Sequence, residues 1–368
     1  MANDVAETRS RIDFYDMDKN QLFVREMEVT SLAERANYAE AVVYALTGQF
    51  PQPDVLDAAL QTAVAEAMTV LEPTLVHCRP RSGALETQDV IEAIAEGIIA
   101  LRRVKTGRTA PENPFPSLFE GPRWEAYMLF HQAVLIAAMT VGAGRDAVER
   151  MRQEGVHPSN FARHMSNLFT GAPKAELEAS DPRDKMLTCL IGGFGVVAPT
   201  SALARFSAGT RPPMEWALIA SAMGCGPAHI GACSIGMRVL QLALSGEGDP
   251  AVIYCRTRPY PGFGHPIAPR DPRTAYLFSN FVNSLPQQAL ALAKTIKERD
   301  DLSPNIDFAA AGVFLDWGVS PSLGSALFWI SRLPIVLAHI CSMLQDPPFG
   351  KKSAEVREQY GDMIKFWI

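Results

Sequence analysis

Three segments of the sequence place a proton-handling side chain beside backbone that is not simply helical. They are GCGPAHIGA with His229, PGFGHP with His265 and SPNIDFAAAG with Asp307. Glycine and proline around His265 exclude a regular element, so special backbone angles must hold that imidazole in one place. Two imidazoles and a carboxylate are groups that could exchange protons with a substrate.

Each of these residues also has a structural interpretation. A histidine near a helix start is more often a cap or a hydrogen-bonded core residue than a catalytic group. Asp307 follows Asn305 and is a candidate N-cap for a helix that begins at Phe308. One such segment alone does not decide the matter, but three in one chain favour catalysis.

Helical periodicity dominates the elements that must position these groups. Apolar residues recur at spacings of three and four from Leu32 to Leu46, and Gly48 ends that predicted helix. The same pattern predicts helices over 56–70, 88–104, 123–141, 183–195, 215–223, 231–245, 274–298 and 322–345. Strand-like alternation is confined to short pieces such as QLFVRE. The sequence therefore predicts an all-α protein.

Composition limits the partners and the compartment. There are 34 basic and 40 acidic residues and no long basic run, so we expect no nucleic-acid partner. The six cysteines lack C-x-x-C spacing, which favours a reducing, cytoplasmic location without a zinc site or a disulfide framework. The N-terminus has no secretion signal, and polar residues such as Arg332 interrupt the long apolar stretches. We expect these stretches to be core helices rather than membrane spans.

Taken in order, the motifs resemble those of the citrate synthase family over nearly the whole chain. Gly-Pro-x-His matches residues 226–229, Gly-Phe-Gly-His followed by Asp-Pro-Arg matches 262–273, and Pro-Asn-x-Asp matches 304–307. The family's N-terminal pattern is recognisable from Asp16 onward, and ISRLPIVLAH from Ile330 is similar to its arginine-bearing penultimate helix. Such a series of motifs is specific, whereas any one of them is weak.

The resemblance implies a fold and an assembly. We expect an all-α homodimer with a large domain from residues 1–230 and 320–368 and a small domain from 231–319. The active-site cleft would lie between the two domains. The family uses a coenzyme A thioester as a co-substrate and no metal, so we expect acyl-CoA and a 2-oxo acid as the small-molecule substrates.

The resemblance also implies roles for individual residues. Asp307 would remove a proton from the acyl-CoA, His229 would donate a hydrogen bond to the enolate oxygen, and His265 would serve the keto oxygen of the acceptor. Arg273 and Arg332 match positions that bind the oxo-acid carboxylates. The structural alternative for either arginine is an interhelical ion pair.

The chain departs from the family pattern at the oxaloacetate site. The family's His-Ala-Asp-His stretch corresponds to residues 190–201, LIGGFGVVAPTS, which contain neither a histidine nor an acid. Ile230 and Cys233 follow Gly-Pro-x-His where the family has a glycine and an amide side chain. Near the C-terminus, Glu355 aligns with a family arginine that reaches the neighbouring subunit's substrate, and Arg357 is the arginine that remains.

Coenzyme A binding is implied only indirectly. Pro266 follows the second histidine where many family members carry a basic residue near the coenzyme A phosphates, and Arg270 is the candidate replacement. An arginine in such a loop is also typical of a solvated side chain. We expect an acyl-CoA condensing enzyme without ordinary oxaloacetate specificity. The alternatives are cleavage of the citryl-CoA lyase type and a non-catalytic paralogue that binds a metabolite.

Overall fold

Helices form almost all of the regular structure in the described part of the chain. The computed structural model describes residues 12–78, 86–108, 111–141, 144–170, 182–245, 252, 254, 260–281, 287–346 and 348. The helices are α1 (Val29–Arg35), α2 (Tyr38–Thr47), α3 (Pro53–Leu75), α4 (Thr87–Lys105), α5 (Arg123–Thr140), α6 (Gly144–Glu154), α7 (Phe161–Thr170), α8 (Pro182–Ile191), α9 (Pro199–Gly209), α10 (Met214–Ala222), α11 (Gly231–Leu244), α12 (Pro272–Asn280), α13 (Gln287–Asp300), α14 (Ile306–Trp317) and α15 (Pro321–Gln345). A short 3₁₀ helix, Gly195–Val197, precedes α9.

One small sheet accompanies these helices in the described residues. Its strands are β1 (Asp13–Asp16), β2 (Gln21–Val24) and β3 (Met27–Glu28), and they pair antiparallel in chain order. The second strand falls on the QLFVRE segment, where the sequence showed strand-like alternation. Because the sheet is this small, the all-α prediction is confirmed.

The periodic stretch from Leu32 to Leu46 is two helices rather than the one predicted. α1 ends at Arg35, and α2 begins after Asn37. The Asn37 side chain accepts from the Glu40 amide at 3.0 Å, and the Glu40 carboxylate accepts from the Asn37 amide at 2.9 Å. This capping box starts a new helix while the apolar spacing continues, so periodicity alone does not reveal the break.

Two other predicted helices have wrong boundaries. The one over 183–195 ends at Ile191, because Phe194 and Gly195 adopt positive φ angles of 67° and 75°. The one over 274–298 is α12 and α13, and residues 282–286 between them lie outside the described residues. The remaining predicted helices correspond to α3, α4, α5, α10, α11 and α15, with small differences at their ends. α6, α7 and α9 were not predicted.

α15 is the central helix of the core. It is buried continuously from Leu323 to Cys341 and packs against α2, α4, α5, α8, α9, α10 and α11. Among the described residues it is the one helix long and apolar enough to cross a membrane, but 83% of its most apolar window is buried inside the protein. That burial is typical of a core helix. Its polar side chains Arg332 and His339 are therefore enclosed by the fold.

α11, at the predicted boundary between the two domains, contacts helices of both domains. This helix packs against α14, which belongs to the predicted small domain, and against α15, which belongs to the large one. The division stays a prediction.

The cysteines at positions 78, 189, 225, 233 and 341 are free thiols, and Cys255 lies outside the described residues.

Candidate active site

Five of the predicted site residues line a single cavity. It has a volume of about 150 Å³, and its walls include His229, His265, Arg273, Asp307 and Arg332. These side chains come from the loop before α11, the loop before α12, the starts of α12 and α14, and the middle of α15. The fold thus brings together residues that are more than a hundred positions apart in the sequence.

A larger cavity adjoins this inner one. It has a volume of about 700 Å³ and shares His265, Asn305 and Asp307 with the inner cavity. Its other walls come from the glycine-rich loop at 260–264 and from apolar side chains such as Ile235. Asp307 therefore lies at the boundary between a small cavity that contains cations and a larger, mostly apolar one.

Asn305, rather than Asp307, caps α14, so the N-cap prediction for Asp307 was wrong. The Asn305 side chain accepts from the Asp307 amide at 2.9 Å, and the helix begins at Ile306. Oδ1 of Asp307 is buried and has no hydrogen-bond partner in the described structure. Burial raises the pKa of this carboxyl to about 6, against the attraction of Arg332 and Arg273. The carboxylate is therefore available to a ligand.

The histidine loop is joined to the start of α14 by backbone contacts. Asn305 donates from its amide to the Gly262 carbonyl and from its side chain to the Gly264 carbonyl, each at 2.8 Å. Gly262 has a φ of 80°, and a Cβ there would lie 2.8 Å from the backbone nitrogen of Phe308. Glycine is required by both the angle and the approach. These bonds fix His265 relative to Asp307.

The hydrogen bonds of His265 determine its tautomer. Its Nδ1 accepts from the backbone amides of Ala268 at 3.0 Å and Ile267 at 3.2 Å. Burial lowers the pKa of His265 to about 4, and both cavity arginines add to the effect. A neutral imidazole that accepts at Nδ1 must carry its proton on Nε2. His265 is therefore a hydrogen-bond donor at neutral pH.

His229 is held in a tight loop before α11. Its amide donates to the Gly226 carbonyl and its carbonyl accepts from the Gly226 amide, both at 2.9 Å. Its Nε2 is buried without a hydrogen-bond partner in the described structure. Burial lowers the pKa of His229 to about 3, and Arg332 and His265 lower it further. Its imidazole is thus neutral, and one buried nitrogen is unsatisfied in the absence of a ligand.

Ile230 keeps this loop in a strained conformation. It has φ 66° and ψ −46°, and the Gly231 amide donates to the His229 carbonyl at 2.8 Å, which together define a γ-turn of the strained, positive-φ type. Such a φ is an outlier for a β-branched residue. Ser325 donates to the Ile230 carbonyl at 3.0 Å, and the Ile230 side chain is buried. Strain held by surrounding packing is typical of functional sites.

Arg273 lines the cavity and also forms a buried ion pair within the first turn of α12, rather than the interhelical pair that was its structural alternative. Its Nε and Nη2 donate to Asp271 at 2.9 and 2.6 Å, and its Nη1 donates to the Gly192 carbonyl at 2.7 Å. Asp271 also accepts from the Ile306 amide at 3.2 Å. Asp271 was not among the predicted site residues, although an aspartate directly before a proline is a signal for a helix N-cap. Asp271 neutralises Arg273 and connects it to α14.

Arg332 has no such partner in the described structure. Its side chain is 4% exposed, and its Nε donates to the Leu190 carbonyl at 3.3 Å, but no described carboxylate forms a salt bridge with it. Burial lowers the pKa of Arg332 to about 10, and the positive charge of Arg273 contributes, whereas the more distant charges of Asp307, Asp13 and Asp271 oppose the shift. A buried cation without a salt bridge is costly. The cavity is therefore suited to an anion.

Phe194 belongs to the 190–201 segment, which aligns with the family's His-Ala-Asp-His stretch, and it lines the inner cavity. Its ring centroid lies 4.2 Å from that of His265 and 5.3 Å from that of Tyr15. The Arg273 guanidinium carbon lies 5.1 Å from the ring centroid of Phe194. An apolar ring therefore contacts two of the candidate functional side chains.

Other predicted residues lie elsewhere. Arg270 is exposed and lines neither cavity, so its predicted role in coenzyme A binding stays a prediction. Arg357 and Glu355 lie outside the described residues. Within the described ranges no group of three or more histidine, cysteine, aspartate or glutamate side chains could hold a metal ion.

Comparisons with known proteins identify the class. The family model for citrate synthase, C-terminal domain, matches residues 1–352. The chain therefore belongs to the citrate synthase family, which confirms the resemblance in the motifs. A citrate synthase from Haloferax volcanii is 24% identical over 362 residues, covering 93% of this chain and 91% of the relative.

Solved structures show the same fold. A ternary complex of carboxymethyl coenzyme A and oxaloacetate with citrate synthase from Thermoplasma acidophilum has a TM-score of 0.68 and 17% identity, covering 94% of this chain and 92% of that one. Citrate synthase from Thermotoga maritima has a TM-score of 0.63 and 16% identity, covering 90% and 87%. The fold of this chain is that of citrate synthases.

The two arginines are predicted to respond oppositely to replacement by methionine. Arg332→Met removes a buried cation without a partner and is expected to stabilise the ligand-free protein by about 1–3 kcal/mol. Arg273→Met leaves Asp271 as an uncompensated buried anion and is expected to destabilise it by about 3–5 kcal/mol. Urea unfolding of both variants measures the difference. Equal destabilisation by the two changes would show that Arg332 has a structural partner after all.

Asp307→Asn is predicted to stabilise the fold in a pH-dependent way. The pKa of Asp307 in the folded protein, about 6, lies above the ordinary 3.8, so the folded state favours the protonated carboxyl. Wild-type stability from this group should fall as pH rises from about 4 to 6, whereas the amide cannot titrate. Thermal unfolding at pH 4.5 and pH 7 should show a stabilising effect of the variant that is larger at pH 7. A constant or destabilising effect would contradict a buried carboxylate whose Oδ1 lacks a hydrogen-bond partner.

Proposed function

We propose that the protein condenses an acyl-CoA with a 2-oxo acid other than oxaloacetate. The observation that carries the proposal is the convergence of two neutral imidazoles, a carboxylate of raised pKa and an unpaired buried cation in one cavity. These are the groups that enolisation of a thioester and capture of an anionic carbonyl compound require. Membership of the citrate synthase family supports the same reaction class.

Asp307 acts as the base in the first step. With a pKa of about 6 it is ionised at neutral pH and yet is a stronger base than an ordinary aspartate. It removes a proton from the carbon next to the thioester carbonyl. His229 donates a hydrogen bond from its otherwise unpartnered Nε2 to the thioester oxygen, where negative charge develops as the enolate forms.

The enolate carbon then attacks the keto carbon of the acceptor. Because Nδ1 of His265 accepts two backbone hydrogen bonds, its proton is on Nε2. This N–H donates to the keto oxygen, which becomes an alkoxide as the carbon–carbon bond forms. Water subsequently cleaves the thioester, giving coenzyme A and a hydroxy acid with one additional carboxylate. Carbon–carbon bond formation and thioester hydrolysis together make the protein an acyltransferase that converts the acyl group into an alkyl group on transfer.

The acceptor is expected to carry one carboxylate beside its keto group. Arg332 supplies the unpaired positive charge for it, whereas Asp271 already neutralises Arg273. Phe194 and Ile230 present apolar surface to the rest of the inner cavity. A second carboxylate would lose hydration against these side chains without gaining a cation from them. A monoanionic 2-oxo acid with an apolar tail fits this wall best.

The outer cavity accommodates the coenzyme A side of the donor. Its volume of about 700 Å³ and the presence of Asp307 in its wall support a thioester carbon near the base and a pantetheine arm along the loop at 260–264. We infer that the predicted small domain, 231–319, closes over the substrates, since an enolate must be shielded from water. Arg270 is the proposed phosphate contact, and no metal takes part.

We infer a homodimer in a reducing, cytoplasmic compartment. Six of the eleven exposed large apolar side chains of the described residues lie between Val196 and Met223, on the 3₁₀ helix, α9, α10 and the residue that follows α10. Such a concentration is typical of a protein interface. A second copy of the chain is the occupant that the family favours, and the free thiols support the compartment.

Isotope exchange and an acceptor panel test the proposed reaction. Acetyl-CoA and propionyl-CoA are incubated with the protein in deuterated water, alone and with each of several 2-oxo acids. We expect deuterium to enter next to the thioester and coenzyme A to be released fastest with monoanionic, apolar acceptors. Oxaloacetate has a second carboxylate, for which the described residues of the inner cavity offer no further unpaired cation. We therefore expect its kcat/KM to be about 30- to 1,000-fold lower than that of the preferred acceptor.

The matched control for this experiment is Asp307→Asn, which is expected to retain the fold and to lose about 10²–10⁴-fold in exchange and turnover. Citrate formation at the highest rate in the panel would contradict the proposed acceptor. Binding of an acyl-CoA or an oxo acid without any exchange would instead identify a metabolite-binding paralogue. Release of an acyl-CoA and an oxo acid from a hydroxyacyl-CoA, without condensation, would indicate the lyase alternative.

The dimer prediction is tested with two exposed apolar residues. Phe206, which is 70% exposed on α9, is replaced by glutamate, and we expect a shift from dimer to monomer in light scattering coupled to size exclusion. Val76→Glu is the control, because Val76 is 81% exposed but lies outside the Val196–Met223 segment. A dimer that survives the first change, or dissociates equally with the second, would place the interface elsewhere.

A further inference from the structure

A buried carboxylate from the N-terminal sheet holds the loop that carries Phe194. Oδ2 of Asp13, on β1, accepts from the backbone amides of Gly193 at 2.7 Å and Gly195 at 2.9 Å. Asp13 does not line the inner cavity, whereas Gly193 and Phe194 do. Asp13 therefore contacts the cavity wall from behind, through the backbone of the residues on either side of Phe194.

His339, on α15, completes this arrangement. Its Nε2 lies 2.7 Å from Oδ1 of Asp13, and both side chains are fully buried. Its Nδ1 lies 3.3 Å from Nη1 of Arg205, which can only donate, so Nδ1 accepts and Nε2 carries the proton. Burial alone would raise the pKa of Asp13, but the hydrogen bonds from His339 and from the two glycine amides hold it below its ordinary value.

The loop conformation needs such a support. Phe194 and Gly195 have consecutive positive φ angles of 67° and 75°, and the first of these is unfavourable for a residue with a side chain. The backbone amides of Gly193 and Gly195, which follow the end of α8 and have no helical acceptor, donate instead to the Asp13 carboxylate. A Cβ on Gly195 would lie 2.9 Å from the Asp13 carbonyl oxygen, so the loop and β1 are packed closely. Tyr15 of the same strand contacts the Phe194 ring.

We propose that Asp13 and His339 are positioning residues that hold Phe194 against His265 and thereby set the shape of the acceptor end of the inner cavity. The proposal rests on the proposed function, because it assigns these residues to acceptor recognition. Asp13 and His339 act through the loop and do not touch the substrate. The enolisation groups, Asp307 and His229, are not held by this loop.

The kinetic test uses Asp13→Asn and His339→Gln. Asparagine keeps the shape of the carboxylate but replaces one of its oxygens by an NH₂ group, which cannot accept from the glycine amides or from His339 Nε2. We expect the KM for the preferred 2-oxo acid to rise by about 10–100-fold, the effect expected when a contact residue is misplaced by about 1 Å. The KM for acyl-CoA and the deuterium exchange rate should change by less than about threefold, since the enolisation groups remain in place.

A spectroscopic test does not depend on turnover. The chain contains seven histidines, and the His265 ring protons, assigned with His265→Gln, should be displaced by the ring current of Phe194 at a centroid distance of 4.2 Å. Phe194→Leu provides the undisplaced reference. In Asp13→Asn the His265 resonances should move toward that reference. The second variant, His339→Gln, serves if the first fails to fold.

Glu215→Gln is the matched control. Glu215 is a carboxylate 2% exposed, against 3% for Asp13, and it pairs with Lys105 at 2.6 Å away from the inner cavity. It should lose stability without a change in acceptor KM or in the His265 resonances. If the Asp13 and His339 variants behave like this control, the inference is overturned. Absence of exchange in the wild type would refute the proposed function instead, while the His265 resonances would still decide whether Asp13 positions Phe194.

Discussion

The burial of the Arg332 charge is the constraint on which the rest of the site depends. The central helix α15 carries this cation into the apolar core, where no described carboxylate pairs with it. Its field helps to lower the pKa values of His229 and His265 and opposes the rise in that of Asp307. One charge therefore favours neutral imidazoles and an ionisable base in the same small volume, a combination that an exposed, screened arginine would not produce.

Several features of the site are unfavourable for folding and are held by the surrounding core. The strained Ile230 turn is fixed by Ser325, the Phe194 loop by Asp13, and the close approach at Gly262 by the bonds of Asn305. Each support is a buried hydrogen bond with a specific donor and acceptor. The same elements that give the protein its large apolar core thus tolerate a few unsatisfied or strained groups around the inner cavity, as is usual where stability is balanced against activity.

Much of this arrangement was predictable from the sequence, because glycine and proline spacing marks loops and apolar spacing marks helices. The order of the motifs predicted the fold, and five of the residues that the motifs identified line one cavity, although their catalytic roles stay proposals. What the sequence did not reveal depends on contacts between distant segments. Asn305 rather than Asp307 caps α14, Asp271 neutralises Arg273, and Phe194 packs on His265. Local residue types are compatible with several partners, and only the fold selects among them.

The contact between Asp13 and His339 has a consequence for synthesis of the chain. These residues are 326 positions apart, so the support behind the Phe194 loop cannot form until nearly all of the described chain has left the ribosome. Arg332, in the last tenth of the chain, is also synthesised late. A nascent or truncated chain can thus form early local helices while the inner cavity stays unassembled, and contacts of such long range slow the last stage of folding.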